Sequence, residues 1–199
     1  MDPARGEIAT EEEYTRQERA SVEKHEYVNG RIVAMAGGSP RHNLISGNVG
    51  ATLGRLLARR GFVFSSNQRV FIPATGLYTY PDVTVVCGGV ECHPKHGDTI
   101  TNPKLVVEVL SRSTEAWDRG KKFFHYRAVP SLSGYLLVAQ REQRIELYQR
   151  VDVGRWELTE AAEGPLALPA LGIELPLAEV YAGAFDVRGE SDDAPPSDS

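Results

Sequence analysis

The chain has 199 residues, 41% hydrophobic and 25% charged, with a formal net charge of −5. These proportions describe one globular domain, and they exclude a membrane span, since no run of about 18 apolar residues exists. The first residues lack the apolar stretch of a secretory signal, and two cysteines, Cys87 and Cys92, fit a reducing cytoplasm better than a disulfide framework.

Residues 1–10 read as a disordered N-terminus, 11–187 as the folded domain and 188–199 as an acidic disordered tail. Thr10 is a fitting N-cap for a polar helix over Glu11–Lys24. Glu26 to Met35 places Asn29-Gly30 between two apolar-rich runs, a short-range hairpin signal. From Ser39-Pro40 the apolar spacing predicts a helix to about Arg60, stopped by Gly61. Extended runs follow at Phe62–Ser65, Gln68–Ile72 and Asp82–Cys87. His93 and His96, beside Cys92, lack normal zinc spacing and read as loop.

Leu105–Leu110 is apolar enough for a strand covered on both faces, and Gly134–Ala139 is a second. A helix between them, from about Thr114 to Ala128, makes the two strands a parallel pair with a crossover. Ile145–Arg150 and Arg155–Thr159 form a peripheral hairpin around Gly154. The fold class is α/β bordering on α+β. It has a mixed β-sheet core flanked by helices, with an N-terminal hairpin and C-terminal peripheral strands.

One residue conflicts with that pattern. Glu108 stands inside Leu-Val-Val-Glu-Val-Leu, where an unpaired charge costs several kcal/mol. Either it reaches solvent or an arginine at the strand end, or the strand delivers a carboxylate into a cleft. Asp82 opens another apolar strand, as a simple Pro-Asp turn or as a second converging carboxylate. Two such carboxylates suit Mg²⁺ or Mn²⁺. Asp118, Lys122 and Tyr126 lie four apart on one helical face. Lys122 is then either half of a surface pair with Asp118 or a cation that orients water and stabilises phosphate charge.

These residues resemble a known family. Pro81-Asp82, Pro103-Lys-Leu-Val-Val-Glu108-Val-Leu-Ser111, Ser113-Thr114 and Asp118…Lys122…Tyr126 before Tyr135-Leu-Leu-Val are similar to the Uma-two family. Its members are restriction-type endonucleases of the PD-(D/E)xK superfamily. The resemblance continues upstream through Glu26-Tyr-Val-Asn-Gly30 and His42-Asn-Leu-Ile45, and spans about residues 11–185.

The resemblance implies a restriction-endonuclease-like fold and a Mg²⁺-dependent endonuclease acting on DNA, with Mn²⁺ as substitute and a homodimer as the assembly. It implies Asp82 and Glu108 as metal ligands together with the Val109 carbonyl, and Lys122 as the catalytic lysine. The superfamily's simplest form puts that lysine at position 110, which here is Leu110. Lys121 remains the alternative to Lys122, because one step of helical phase separates them. Arg112 stands where the family usually has proline. Glu26 is a third ligand, a supporting acid or an exposed strand-start residue. His42 either faces the cleft toward a phosphate or the metal's water, or is structural.

A catalytically weak nucleic-acid-binding protein of the same fold is the alternative function. The net charge of −5 does not oppose DNA, because residues 41–127 hold 12 bases against six acids, the acid excess lying at the two ends.

Overall fold

The computed structural model describes residues 6–35 and 37–187. Strand β1 (Glu7–Ile8) pairs antiparallel with β3 (Arg31–Ala34), so part of the segment expected to be disordered is edge strand. Helix α1 (Glu11–Ala20) begins at Thr10 with a reciprocal capping box. Its Oγ1 accepts from the Glu13 amide, and the Glu13 carboxylate accepts from the Thr10 amide. It ends at Ala20, not Lys24, whose ammonium instead donates to the Ser66 carbonyl at 2.9 Å. Strands β2 (His25–Val28) and β3 (Arg31–Ala34) form the expected hairpin. Asn29 and Gly30 both hold positive φ, 51° and 76°, which is why that dipeptide makes the turn.

Helix α2 (Pro40–Leu57) starts at the Ser39 cap but stops before Gly61. Ala58 and Arg59 take left-handed backbone, and the Arg60 guanidinium donates to the Leu56 and Leu57 carbonyls that the helix leaves open. Strands β4 (Gly61–Ser65), β5 (Arg69–Ile72), β6 (Leu77–Thr79) and β7 (Val83–Cys87) follow. His93 and His96 are not in a loop. They belong to β8 (Cys92–His93) and β9 (His96–Ile100), with their rings stacked 4.6 Å apart and Arg19 on His96.

Strand β10 (Leu105–Leu110) leads into the predicted crossover helix, which is broken into three pieces. These are α3 (Glu115–Trp117), a wide π turn (Asp118–Lys122) and α4 (Phe123–Tyr126). The Tyr135 hydroxyl donates to the Asp118 carbonyl at 3.0 Å, a side-chain insertion of the kind that widens a helical ladder. Strand β11 (Gly134–Ala139) then runs parallel to β10, as expected. Strands β12 (Ile145–Asp152) and β13 (Arg155–Ala161) form the peripheral hairpin. A hairpin of β14 (Pro165–Leu168) and β15 (Ile173–Pro176), then α5 (Leu177–Val180), complete the described chain. The acidic tail, 188–199, lies outside the described residues.

The described strands form two mixed sheets and a separate two-stranded one, β14-β15, rather than a single sheet. The six-stranded sheet runs β13-β12-β11-β10-β7-β4 and the seven-stranded sheet β1-β3-β2-β6-β5-β9-β8. Period-two alternation along β10 divides the core. Leu105, Val107 and Val109 pack with Ile45, Val49 and Leu53 of α2. Val106 and Leu110 face the other way, onto Trp117, Tyr126 and Tyr135. Glu108 shares that second face. Leu136 is fully buried in the α2 core, so Leu136→Ala is expected to cost about 2–5 kcal/mol, read by chemical denaturation.

Candidate active site

Strands β10 and β7 pair antiparallel with Leu105 opposite Val85, Val106 opposite Thr84 and Val107 opposite Val83. Continued one step, that register sets Glu108 opposite Asp82, just beyond the end of β7. Asp82 is tied there, since its Oδ2 accepts from the Val109 amide at 2.7 Å. The two carboxylates, far apart in sequence, are therefore cross-strand neighbours. Both line a cavity of about 750 Å³ together with Glu26, His42, Val109 and Lys122.

Lys122 comes from the π turn and is buried. Its Nζ lies 2.9 Å from Glu108 Oε1, 3.2 Å from Glu26 Oε1 and 3.6 Å from Asp118 Oδ1. The Tyr126 hydroxyl also donates to Glu108 Oε1, at 3.1 Å. Asp118, Lys122 and Tyr126 thus meet on one face, as their spacing indicated. Lys121, the neighbouring candidate, is exposed and does not line the cavity. Helical phase turns the chain's two adjacent lysines to opposite surroundings.

Glu26 is fully buried on β2, not an exposed strand-start residue. Its Oε1 takes the Thr79 hydroxyl as well as Lys122, while Oε2 is buried without a hydrogen-bond partner. His42 stands in the first turn of α2, its Nε2 3.2 Å from Asp82 Oδ2. Several groups at the site were not singled out from the sequence as site residues: Asp118, Tyr126, Thr79 and Trp117. Only Asp118 and Tyr126 left a trace there, through their four-residue spacing from Lys122. Thr79 lies on a strand whose pairing with β2 no local pattern reveals.

Burial would strip the proton from Lys122, but Glu108, Glu26 and Asp118 around it hold the ammonium well above its ordinary range. Burial pushes Glu108 well up, and Lys122 offsets that only in part. Asp118 is raised for the same reason. For His42 burial acts downward, yet the Asp82 carboxylate wins and the imidazole is raised. Burial is the first cause of the raised carboxylates, and their crowding adds to it. Glu23, Glu26, Asp82, Glu108 and Asp118 line the cavity against Lys24, Arg112, Lys122 and His42, so the acids outnumber the bases.

That excess is what a divalent ion neutralises, and the donors are the hard oxygens that Mg²⁺ and Mn²⁺ prefer. Asp82, with its side chain 15% exposed, and Glu108 open onto the same space as the Val109 backbone. Among the described residues no three His, Cys, Asp or Glu side chains are already gathered into a metal cage. The donor chemistry fits a divalent ion; the closed shell is not preassembled.

The family described as "Uma2: Putative restriction endonuclease" matches residues 11–178. Two Synechocystis sp. proteins are similar over most of their length. "Uncharacterized protein slr1290" is 40% identical over 174 residues, 86% of this chain and 90% of the relative. "Uncharacterized protein sll1609" is 37% identical over 161 residues, 80% and 91% respectively. The fold is also that of a crystal structure of "a putative nuclease belonging to DUF820" from Anabaena variabilis. The two share a TM-score of 0.67 at 15% identity, covering 82% of this chain and 93% of that one. No described helix is long and apolar enough to cross a membrane.

The raised carboxylates make stability depend on pH in a defined sense. Glu108 and Asp118 bind protons more tightly folded than unfolded. Their contribution is therefore complete below their ordinary values of 4.5 and 3.8, and is lost as pH rises through the raised folded values. Glu108→Gln keeps the hydrogen-bonding shape without the buried charge. In chelator, its thermal transition is expected to match wild type at about pH 4 and to equal or exceed it at about pH 8.

Proposed function

The chain belongs to the Uma2 restriction-endonuclease family, and from its cavity we propose that it is a divalent-metal-dependent endonuclease hydrolysing DNA phosphodiester bonds. The observation that carries this is the convergence of Asp82, Glu108 and a buried Lys122 on one cavity at the strand ends. In this reading Asp82, Glu108 and the Val109 carbonyl hold Mg²⁺, with Mn²⁺ as a substitute. When bound, the ion supplies charge neutralisation to the transition state and the leaving oxygen of an in-line displacement.

The chain's own groups do the rest. The carboxylates around Lys122 keep its ammonium charged against burial, so it presents a positive charge to the scissile phosphate. Glu26 and Asp118 aim its Nζ, and Tyr126 steadies the Glu108 carboxylate. At the rim, Lys24 and Arg112 line the same cavity and suit the DNA backbone on either side of the scissile bond. A homodimer would present one such site to each strand of a duplex.

Supercoiled plasmid is the test substrate. Nicking is expected with Mg²⁺ or Mn²⁺ and not with chelator. Asp82→Asn and Glu108→Gln are expected to lower it at least about 100-fold, and Lys122→Ala by about 10²–10³. Lys121→Ala is expected to stay within about threefold of wild type, as suits an exposed lysine outside the cavity. Salt-sensitive DNA binding without cleavage under every metal condition would replace this reading with a binding protein of the same fold.

A further inference from the structure

We propose that His42 is itself a ligand of the divalent ion, and that the site therefore favours Mn²⁺ over Mg²⁺. The inference rests on the nuclease reading above and deepens it by naming the metal class.

The geometry begins with α2, which packs against one face of the six-stranded sheet and brings its first turn to the strand ends. There His42 Nε2 lies 3.2 Å from Asp82 Oδ2, the oxygen that also accepts from the Val109 amide. One imidazole nitrogen thus stands beside the carboxylate assigned to the ion, and that carboxylate is itself tied to the Val109 main chain.

The ring is also held from behind. It is held there by packing, since its Nδ1 is buried without a hydrogen-bond partner and its side chain is only 14% exposed. A Cβ on Gly38 would fall 2.5 Å from Nδ1 and 2.8 Å from Asn43 Oδ1. Glycine at 38 is what lets the loop close over that edge of the ring. Nδ1 therefore faces the loop, and Nε2 is the nitrogen turned to Asp82.

Without metal, Nε2 and Asp82 satisfy each other through a proton. On binding, that proton leaves to solvent and the Nε2 lone pair forms a bond to the ion. Imidazole in the shell changes the preference among cations. Mg²⁺ takes oxygen donors and keeps its waters, whereas Mn²⁺ stands in the first-row series that accepts nitrogen more readily.

Pulsed electron paramagnetic resonance on Mn²⁺-loaded wild type, with and without nitrogen-15 histidine, tests this directly. The expected result is a histidine nitrogen coupling that changes with the isotope and is absent from His42→Gln. In that variant Mn²⁺ affinity is expected to fall about tenfold or more and Mg²⁺ affinity by less than about threefold. Equal losses for both ions would mean that His42 only props Asp82, and would overturn the assignment. Bound Mn²⁺ with no histidine coupling, or a coupling that survives in the variant, would overturn it too while leaving the nuclease reading intact. No binding of either ion, together with no nicking, would remove both. Should His42→Gln not fold, His42→Asn takes its place, and a wild-type spectrum with no histidine coupling overturns the assignment by itself.

Discussion

The interaction on which the rest of the site depends is the ion pair between Lys122 and Glu108, buried where two sheets and a broken helix meet. Lys122 Nζ touches three carboxylates, from β10, β2 and its own π turn. Each contact ties a different element to the same point, so one side chain links the six-stranded sheet to the seven-stranded one. Such a pair is not a gift of stability, because desolvating two charges offsets much of their attraction. Removing the cation alone is worse, since it leaves three acids buried against one another. The arrangement makes sense as a site kept at some cost to the fold: excess acid, a raised Glu108 and a buried Glu26 oxygen with no partner.

Strand alternation explains how that charge is accommodated. Val106, Glu108 and Leu110 share the face of β10 that looks onto Trp117, Tyr126 and Tyr135. A lysine at position 110 would reach Glu108 along the strand. Here Leu110 fills the core, and the segment covering that face supplies Lys122 instead. The two routes deliver an ammonium to the same side of the same sheet. The π turn serves this delivery by burying both Asp118 and Lys122, while Lys121 and Phe124 face outward.

Comparison with other proteins separates what is shared by sequence from what is shared by shape. At 15% identity the Anabaena structure has few residues in common with this chain, yet it has the same fold. The family match, by contrast, spans the residues that line the cavity. The charge distribution agrees with a phosphate-facing middle, since the basic stretch 41–127 contains Asp82, Glu108 and Lys122.

Much of the fold was legible from local pattern. The Thr10 and Ser39 caps, the Asn29-Gly30 turn, the apolar runs of β10 and β11 and the crossover between them depend on neighbours within a few residues. The misplaced features depend on distant partners. The π turn accompanies a hydroxyl from Tyr135, α2 ends where Arg60 folds back on it, and β1 exists because β3 offers an edge. The same division runs through the site. The sequence alone determined that Glu108 is a carboxylate in a place no core tolerates unpaired, since alternation and burial are properties of a short segment, and it left Asp82 as either a turn residue or a second converging carboxylate. Only the tertiary structure decided between Lys121 and Lys122, set Glu26 beneath the lysine and brought His42 to Asp82. Those are meetings between elements, fixed by packing and register rather than by any residue's neighbours in the chain.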